Sequence, residues 1–280
     1  VKMHLFAVSV LLMLAFPFIM TELDSFSSCL DSFSNEKPPV IHDILENSVS
    51  KDQNRYKLIC QEYKGRIFFA TLYDTGNKIP IFSAYKYTGK GAFTRPKINF
   101  LFVMYSTLEC TDYPFQQAQD NDYKNNNIRM SRGHLFPSSH AADLETASST
   151  FTLTNAVPQE ESFNNGIWNI KEETFQKNMN ENCLSNNNKV VAHVLTGAIP
   201  GTEKMKEKVN IPSHMWMAFC CYNKKKDSWV SQAYCATNEA NSKADLTTES
   251  LSELQQFINV KLGKEVVLFH DMLKTLLIST

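Results

Sequence analysis

The chain is 280 residues long, 43% hydrophobic and 20% charged, with 28 basic against 29 acidic side chains and a formal net charge of −1. That composition excludes a disordered tail, a collagen-like repeat and a coiled-coil rod, and the length is enough to bury a full core. A near-neutral total means that any polyanionic partner must be held by a local cluster of cations.

Leu5 to Met20 form an uncharged run of 16 residues after Lys2 and His4. It is short for a bilayer span of about 20 residues and contains Pro17. The expectation is therefore a signal peptide over residues 1–20, then a single secreted, extracellular domain over 21–280 with no membrane span. All seven cysteines follow this run. An oxidising compartment would let six of them form three bridges, with the pairing open. There is no C-x-x-C pair to suggest a zinc ribbon. Adjacent Cys220 and Cys221 would face opposite ways in a strand and take different partners.

After a Ser-rich lead-in over 21–39, the runs YKLICQEY (56–63), RIFFATLYD (66–74) and PIFSAYKYT (80–88) read as strands, as does INFLFVMY (98–105). The polar stretch 111–133 reads as a surface loop. A short helix over 141–148, a strand-like FTLTNAV (151–157) and a helix over 164–179 come next. KVVAHVLTGA, HMWMAFCCY and WVSQAYCATN are strand-like, and 247–262 is an amphipathic helix with Thr248 and Ser250 as caps. Strands predominate without regular alternation with helices, which is an α+β pattern.

The chemistry concentrates between 129 and 175. His134 follows Gly133 and Arg132, and Asn155, Gln159, Asn164 and Glu172 lie within one strand–loop–helix span. Asn164 and Glu172 are eight residues apart, about two helical turns, so they share a helix face. An amide oxygen with a carboxylate suits a hard cation such as Mg²⁺. A neighbouring His can take a proton from water near neutral pH, and an Arg fork can grip phosphate. That set suits metal-assisted phosphodiester hydrolysis.

The ordered motifs R-G-H-L-x-P (132–137), T-N-x-x-P-Q (154–159) and N-x-G-x-W-x-x-x-E (164–172) resemble those of the DNA/RNA non-specific endonuclease family, of the ββα-metal superfamily. The segments ICQEY (59–63), FATLYDTGNKIPIFSAY (69–85), LTGAIPG (195–201) and VNIPSHMWMAFCCY (209–222) resemble the secreted vertebrate branch, so the likeness spans about residues 29–270. The resemblance implies a mainly antiparallel sheet with flanking helices and cleavage of DNA or RNA without strong sequence preference. It implies His134 as general base, Asn164 as ligand of one Mg²⁺ (with Mn²⁺ as a substitute), and Glu172 as the carboxylate that orients water on the metal. Arg132 would contact phosphate, Asn155 would position the base, and Trp168 would lock the helix to the sheet. Ser131 stands where the family usually has Asp, and this favours an alternative: a catalytically weakened, nucleic-acid-binding protein that keeps the fold.

Between Gly76 and Leu108 there is no acidic residue, and Lys86, Lys90 and Arg95 fall among aromatics. These three are candidate nucleic-acid contacts, with Arg95 the candidate for a second arginine at the site. Ser139 beside His140 lacks the G-x-S-x-G elbow of a serine hydrolase. His193 and His214 are expected to be packed histidines rather than a metal pair. No protein partner is implied.

Overall fold

The computed structural model describes residues 25–98, 117–124, 126–240 and 250–270. The expected signal peptide, the run at 98–105 for all but its first residue, Cys110 and Thr248 lie outside these. The short strands β1 (Val40–Ile41), β2 (Leu45–Glu46) and β3 (Val49–Ser50) lead into β4 (Tyr56–Tyr63), β5 (Arg66–Asp74) and β6 (Ile79–Tyr87). Then come β7 (Met130–His134), β8 (Ala156–Glu160), β9 (Ala192–Met205), β10 (Val209–Asn223), β11 (Ser228–Thr237) and β12 (Val266–Val267). The helices are α1 (Asp120–Tyr123), α2 (Leu144–Ser149), α3 (Glu161–Phe163), α4 (Asn169–Asn182) and α5 (Leu251–Leu262). A π-helical turn over Asn164–Trp168 joins α3 to α4.

Six strands form one antiparallel sheet in the order β11-β10-β9-β6-β5-β4. Strand alternation divides its side chains between two cores. Phe82, Ala84, Leu195, Trp216 and Ala218 face an N-terminal segment bearing Phe26 and Phe33, together with α5. Tyr85, Tyr87, Val194, Met217 and Phe219 face the opposite way, against the unit made by β7, β8 and α4. The mixed α+β architecture agrees with the sequence pattern.

The ends of α5 follow its sequence. Ser250 accepts from the Glu253 N–H while the Glu253 carboxylate accepts from the Ser250 N–H, and Gly263 takes the left-handed conformation that stops the helix. Cys29–Cys60 and Cys183–Cys221 are the bridges among the described residues. Cys221 belongs to one core and Cys220 to the other, as strand alternation requires.

Two expectations need correction. The stretch 111–133 holds α1 and β7, whose polar sequences carry no apolar period. The supposed strand 151–157 is a 3-10 turn over Leu153–Asn155, and β8 begins only at Ala156. The cause is the Asn155 side chain, which bonds the main chain of its neighbours.

At the sheet centre Gly197 lies between Phe82 and Trp216 in register. An added Cβ would lie 2.3 Å from the Trp216 ring and 2.4 Å from the Ile81 carbonyl oxygen. Gly197→Ala is expected to destabilise by about 1–3 kcal/mol, the usual range for overpacking, as read by urea unfolding. An unchanged midpoint would mean that the sheet can part there.

Candidate active site

β7 and β8 pair antiparallel from Met130↔Glu160 to His134↔Ala156. Asn238 fastens this ladder to the large sheet, accepting from the Glu160 N–H and donating to the carbonyls of Pro158 and Pro212. Gly133 is required by close approach, since the Gln159 side chain occupies the place where its Cβ would sit.

His134 ends β7 and is buried. The chain behind it is held by Asn155, which is fully buried with all four amide positions occupied. Its Oδ1 accepts from the Phe136 N–H and the Ser83 hydroxyl, each at 2.9 Å. Its Nδ2 donates to the carbonyls of Phe136 and Thr150, each at 3.0 Å. Ser83 belongs to a buried chain in which Gln61 donates to Thr71, Thr71 to Ser83 and Ser83 to Asn155. Asn155 is thus committed to the fold and acts on His134 through the backbone.

Around the imidazole, the Phe151 ring makes an edge contact with centroids 4.8 Å apart, and the Arg95 guanidinium lies over Phe151 at 5.5 Å. Burial, followed by the Arg95 charge, lowers the His134 pKa to about 3, so the ring is neutral at physiological pH. Arg95 acts on Glu172 as well. Burial raises the Glu172 carboxyl to about 8, against the opposing pull of the Trp168 indole N–H and Arg95. One guanidinium therefore influences both His134 and Glu172.

Asn164 starts the π-helical turn and is half-buried, and its Nδ2 donates to the Ser131 hydroxyl at 2.9 Å. That bond ties the helix entrance to β7. Trp168 packs between Phe163 and Tyr234, with ring centroids 5.6 and 5.8 Å away.

His140, absent from the expected site, joins helix to sheet. Its Nε2 lies 2.9 Å from the Glu172 carbonyl oxygen, which can only accept, so Nε2 carries the proton. Nδ1 then accepts from the Tyr85 hydroxyl at 2.8 Å. Both ring nitrogens are occupied, which leaves no base for Ser139. The Tyr85 ring also stacks on Phe136, with centroids 3.8 Å apart. No local sequence pattern announces this clamp, because its members are distant in the chain.

Two expected contacts are placed elsewhere. Arg132 turns its guanidinium to the Asp120 carboxylate and main-chain carbonyl and lies over Tyr123. One nitrogen of its guanidinium, Nη2, is engaged by both of these partners. Lys86 bonds Asp31 at 2.7 Å on the sheet face away from His134. The cause is alternation: Tyr85 and Tyr87 take the inner face, which sends Lys86 outward. Lys90 and Arg95 are exposed on the segment after β6, and Lys90 adds positive potential at His140. His193 and His214 stand at opposite ends of a stretch of the β9–β10 ladder, in register with Cys220 and Ile199 respectively. They lie in different strands, His214 against Ser213 and Phe257, and His193 near Lys86 and Asp31.

The sequence pattern of the family described as DNA/RNA non-specific endonuclease matches residues 52–266. Endonuclease domain-containing 1 protein of Homo sapiens is 30% identical over 178 residues, covering 58% of this chain and 34% of that protein. Its Mus musculus counterpart is 31% identical over 179 residues, with the same coverage. The chain thus spans about a third of the length of these curated relatives. Among solved structures, the EndoG/EndoGI complex, described as revealing the mechanism of EndoG inhibition, contains a similar chain. The TM-score is 0.54 at 18% identity, over 74% of this chain and 84% of that one, a likeness of fold.

Burial also lowers the His140 pKa, from 6.5 to about 4. Between those values unfolding takes up a proton, so the stability from neutral His140 is complete above about pH 6.5 and is lost as pH falls toward 4. His140→Gln is expected to flatten the pH dependence of unfolding in that window. His140→Ala leaves two buried polar groups unpartnered and should cost about 2–4 kcal/mol by urea titration. An identical pH slope in wild type and His140→Gln would refute the buried-neutral assignment. The strand–strand–helix unit, its ordered motifs and the match over 52–266 together establish that the chain belongs to the DNA/RNA non-specific endonuclease family, with the ββα-metal fold.

Proposed function

We propose that the protein is a secreted, divalent-cation-dependent endonuclease that hydrolyses phosphodiester bonds of DNA or RNA without strong sequence preference. The observation that carries this reading is that the family's ordered motifs are placed on one strand–strand–helix unit, where the Arg95 charge reaches both His134 at the end of β7 and Glu172 on the helix entered through Asn164. The apolar run at 5–20 and the two disulfides support passage through an oxidising compartment. No helix among the described residues is long and apolar enough to cross a membrane.

The residues fit a hard cation. The Asn164 Nδ2 is held by Ser131, which leaves its Oδ1 available, and Glu172 is a buried carboxyl whose ionised form lacks the water that would stabilise it. An amide oxygen and a carboxylate are the donors that Mg²⁺ or Mn²⁺ prefers. Asn164 would hold the ion directly, with Glu172 acting through water. When bound, the ion supplies positive charge against that accumulating on the phosphate oxygens.

His134 takes a proton from the attacking water as its oxygen bonds to phosphorus, the bond from phosphorus to the 3′ oxygen breaks, and that oxygen takes up a proton from solvent water. The products carry a 5′-phosphate and a 3′-hydroxyl. Burial and Arg95 keep the ring unprotonated but also weaken it as a base, and the negative charge of a bound phosphate would offset both. Arg95 and Lys90 hold the phosphate backbone at the entrance. The engagement of Arg132 by Asp120 favours the second reading, a weakened enzyme that mainly binds nucleic acid.

Supercoiled-plasmid cleavage in Mg²⁺ separates the two. His134→Ala should lower the rate by about 10²–10⁴-fold while the protein still unfolds in one cooperative step, and EDTA should stop cleavage. Equal rates in wild type and variant would remove His134 as the base. Binding without cleavage by either protein would support the second reading. Lys90→Gln and Arg95→Gln should weaken binding at low salt, and less so as salt rises. Lys86→Gln should leave binding unchanged, because its ammonium faces the other side.

A further inference from the structure

We infer that Ser131 is a positioning residue for the cation site, holding the Asn164 amide with its oxygen turned outward. The inference rests on the proposed role of Asn164 and concerns how this chain maintains that role.

The argument is one of hydrogen-bond direction. The Ser131 side chain lies 2.9 Å from the main-chain carbonyl oxygen of Gln159, its register partner across the β7–β8 ladder. A carbonyl oxygen only accepts, so the single hydroxyl proton of Ser131 is committed there. Toward Asn164, 2.9 Å away, the hydroxyl can then only accept. The Asn164 amide must therefore present its NH₂ to Ser131, and a planar amide that does so directs Oδ1 the other way. No further hydrogen bond to that oxygen occurs among the described residues, which leaves it for a cation. The reversed amide would set two acceptors against each other and be disfavoured. A strand hydroxyl thus acts as a polarity key for an amide on a neighbouring helix.

Two features make the key stiff. The Gln159 carbonyl belongs to β8, which Asn238 fastens on both sides of Gln159 to the main sheet. Asn164 begins the π-helical turn, whose Gly166 departs from helical geometry at φ −102° and ψ −110°. A break there allows the turn to be placed by its contacts rather than by helix regularity alone, and the Ser131 bond is the side-chain contact that fixes Asn164. Ser131 supplies this without a charge, so the positioning adds no further carboxylate to the site.

The test is Mn²⁺ binding to the full chain, read by electron paramagnetic resonance of free Mn²⁺ and by calorimetry. The proteins are wild type, Ser131→Ala, Ser131→Thr and Asn164→Ala. Ser131→Ala should weaken Mn²⁺ binding about tenfold, the usual scale for losing a group that orients a ligand. Its unfolding midpoint should fall only by what the loss of two hydrogen bonds accounts for, with the protein still folded, and its metal-free nucleic-acid affinity should be unchanged. Ser131→Thr keeps the hydroxyl and should bind Mn²⁺ within about twofold of wild type; a purely structural role would not require this rescue. Unchanged binding in Ser131→Ala, beside lost binding in Asn164→Ala, would overturn the inference while leaving Asn164 as ligand. Equal weakening in Ser131→Ala and Ser131→Thr would overturn it too. Wild-type binding that Asn164→Ala does not alter would overturn both the ligand role and the positioning role.

Discussion

The buried amide of Asn155 is the joint on which the site depends. It binds the main chain on both sides of the segment that follows His134, and it receives the Ser83 hydroxyl from the centre of the large sheet. In a low-dielectric interior each of these bonds is strong, and each would be costly to leave unmade. The sheet therefore transmits its rigidity to a short turn rather than to a packed helix face. His134 inherits its position from that turn. The Gln61–Thr71–Ser83 chain extends the same polar seam through three adjacent strands, which explains hydroxyls and an amide where apolar side chains would pack as well.

A second constraint follows from burial. His134 and Glu172 lie in an environment that disfavours charge on either. Arg95 does not balance them equally: it opposes a proton on the histidine and favours its loss from the carboxyl. One exposed guanidinium thus biases His134 toward its neutral form and Glu172 toward its ionised form. The helix face carrying Glu172 is set by His140, whose neutral ring bridges the Glu172 carbonyl and Tyr85. The main chain of Glu172 is anchored by His140 while its carboxyl is drawn toward the Trp168 indole and the Arg95 charge.

Much of this was legible in the sequence, and the part that was not has physical reasons. Strands β4 to β6 and β9 to β11 are rich in aromatic and branched residues, so their type survives any context. β7 reads MSRGH and carries no alternation, because its stability comes from pairing with β8 and from Gln159 packing over Gly133. The outward direction of Lys86 was readable, since a residue between two inward tyrosines in a strand must face away. The Asp120–Arg132 pair was not, because it joins residues 12 apart across an unrecognised helical turn. The fourfold use of Asn155 and the bridging of His140 depend on contacts between distant elements, which no local pattern encodes.

The engagement of Arg132 changes how the departure at Ser131 is to be weighed. Neighbours in β7 face opposite ways, so Ser131 meets the Asn164 amide while Arg132 is drawn to α1. The carboxylate that satisfies Arg132 comes from Asp120, on a separate element, and Asp120 is shared with Lys124. The negative partner of this arginine therefore does not need to sit beside it in the motif. With the charge supplied from α1, position 131 is left to a neutral hydroxyl that can donate to one group and accept from another, which a carboxylate cannot do. In this chain the pairing of an arginine and the orientation of an amide fall to two residues, Asp120 and Ser131, on separate elements.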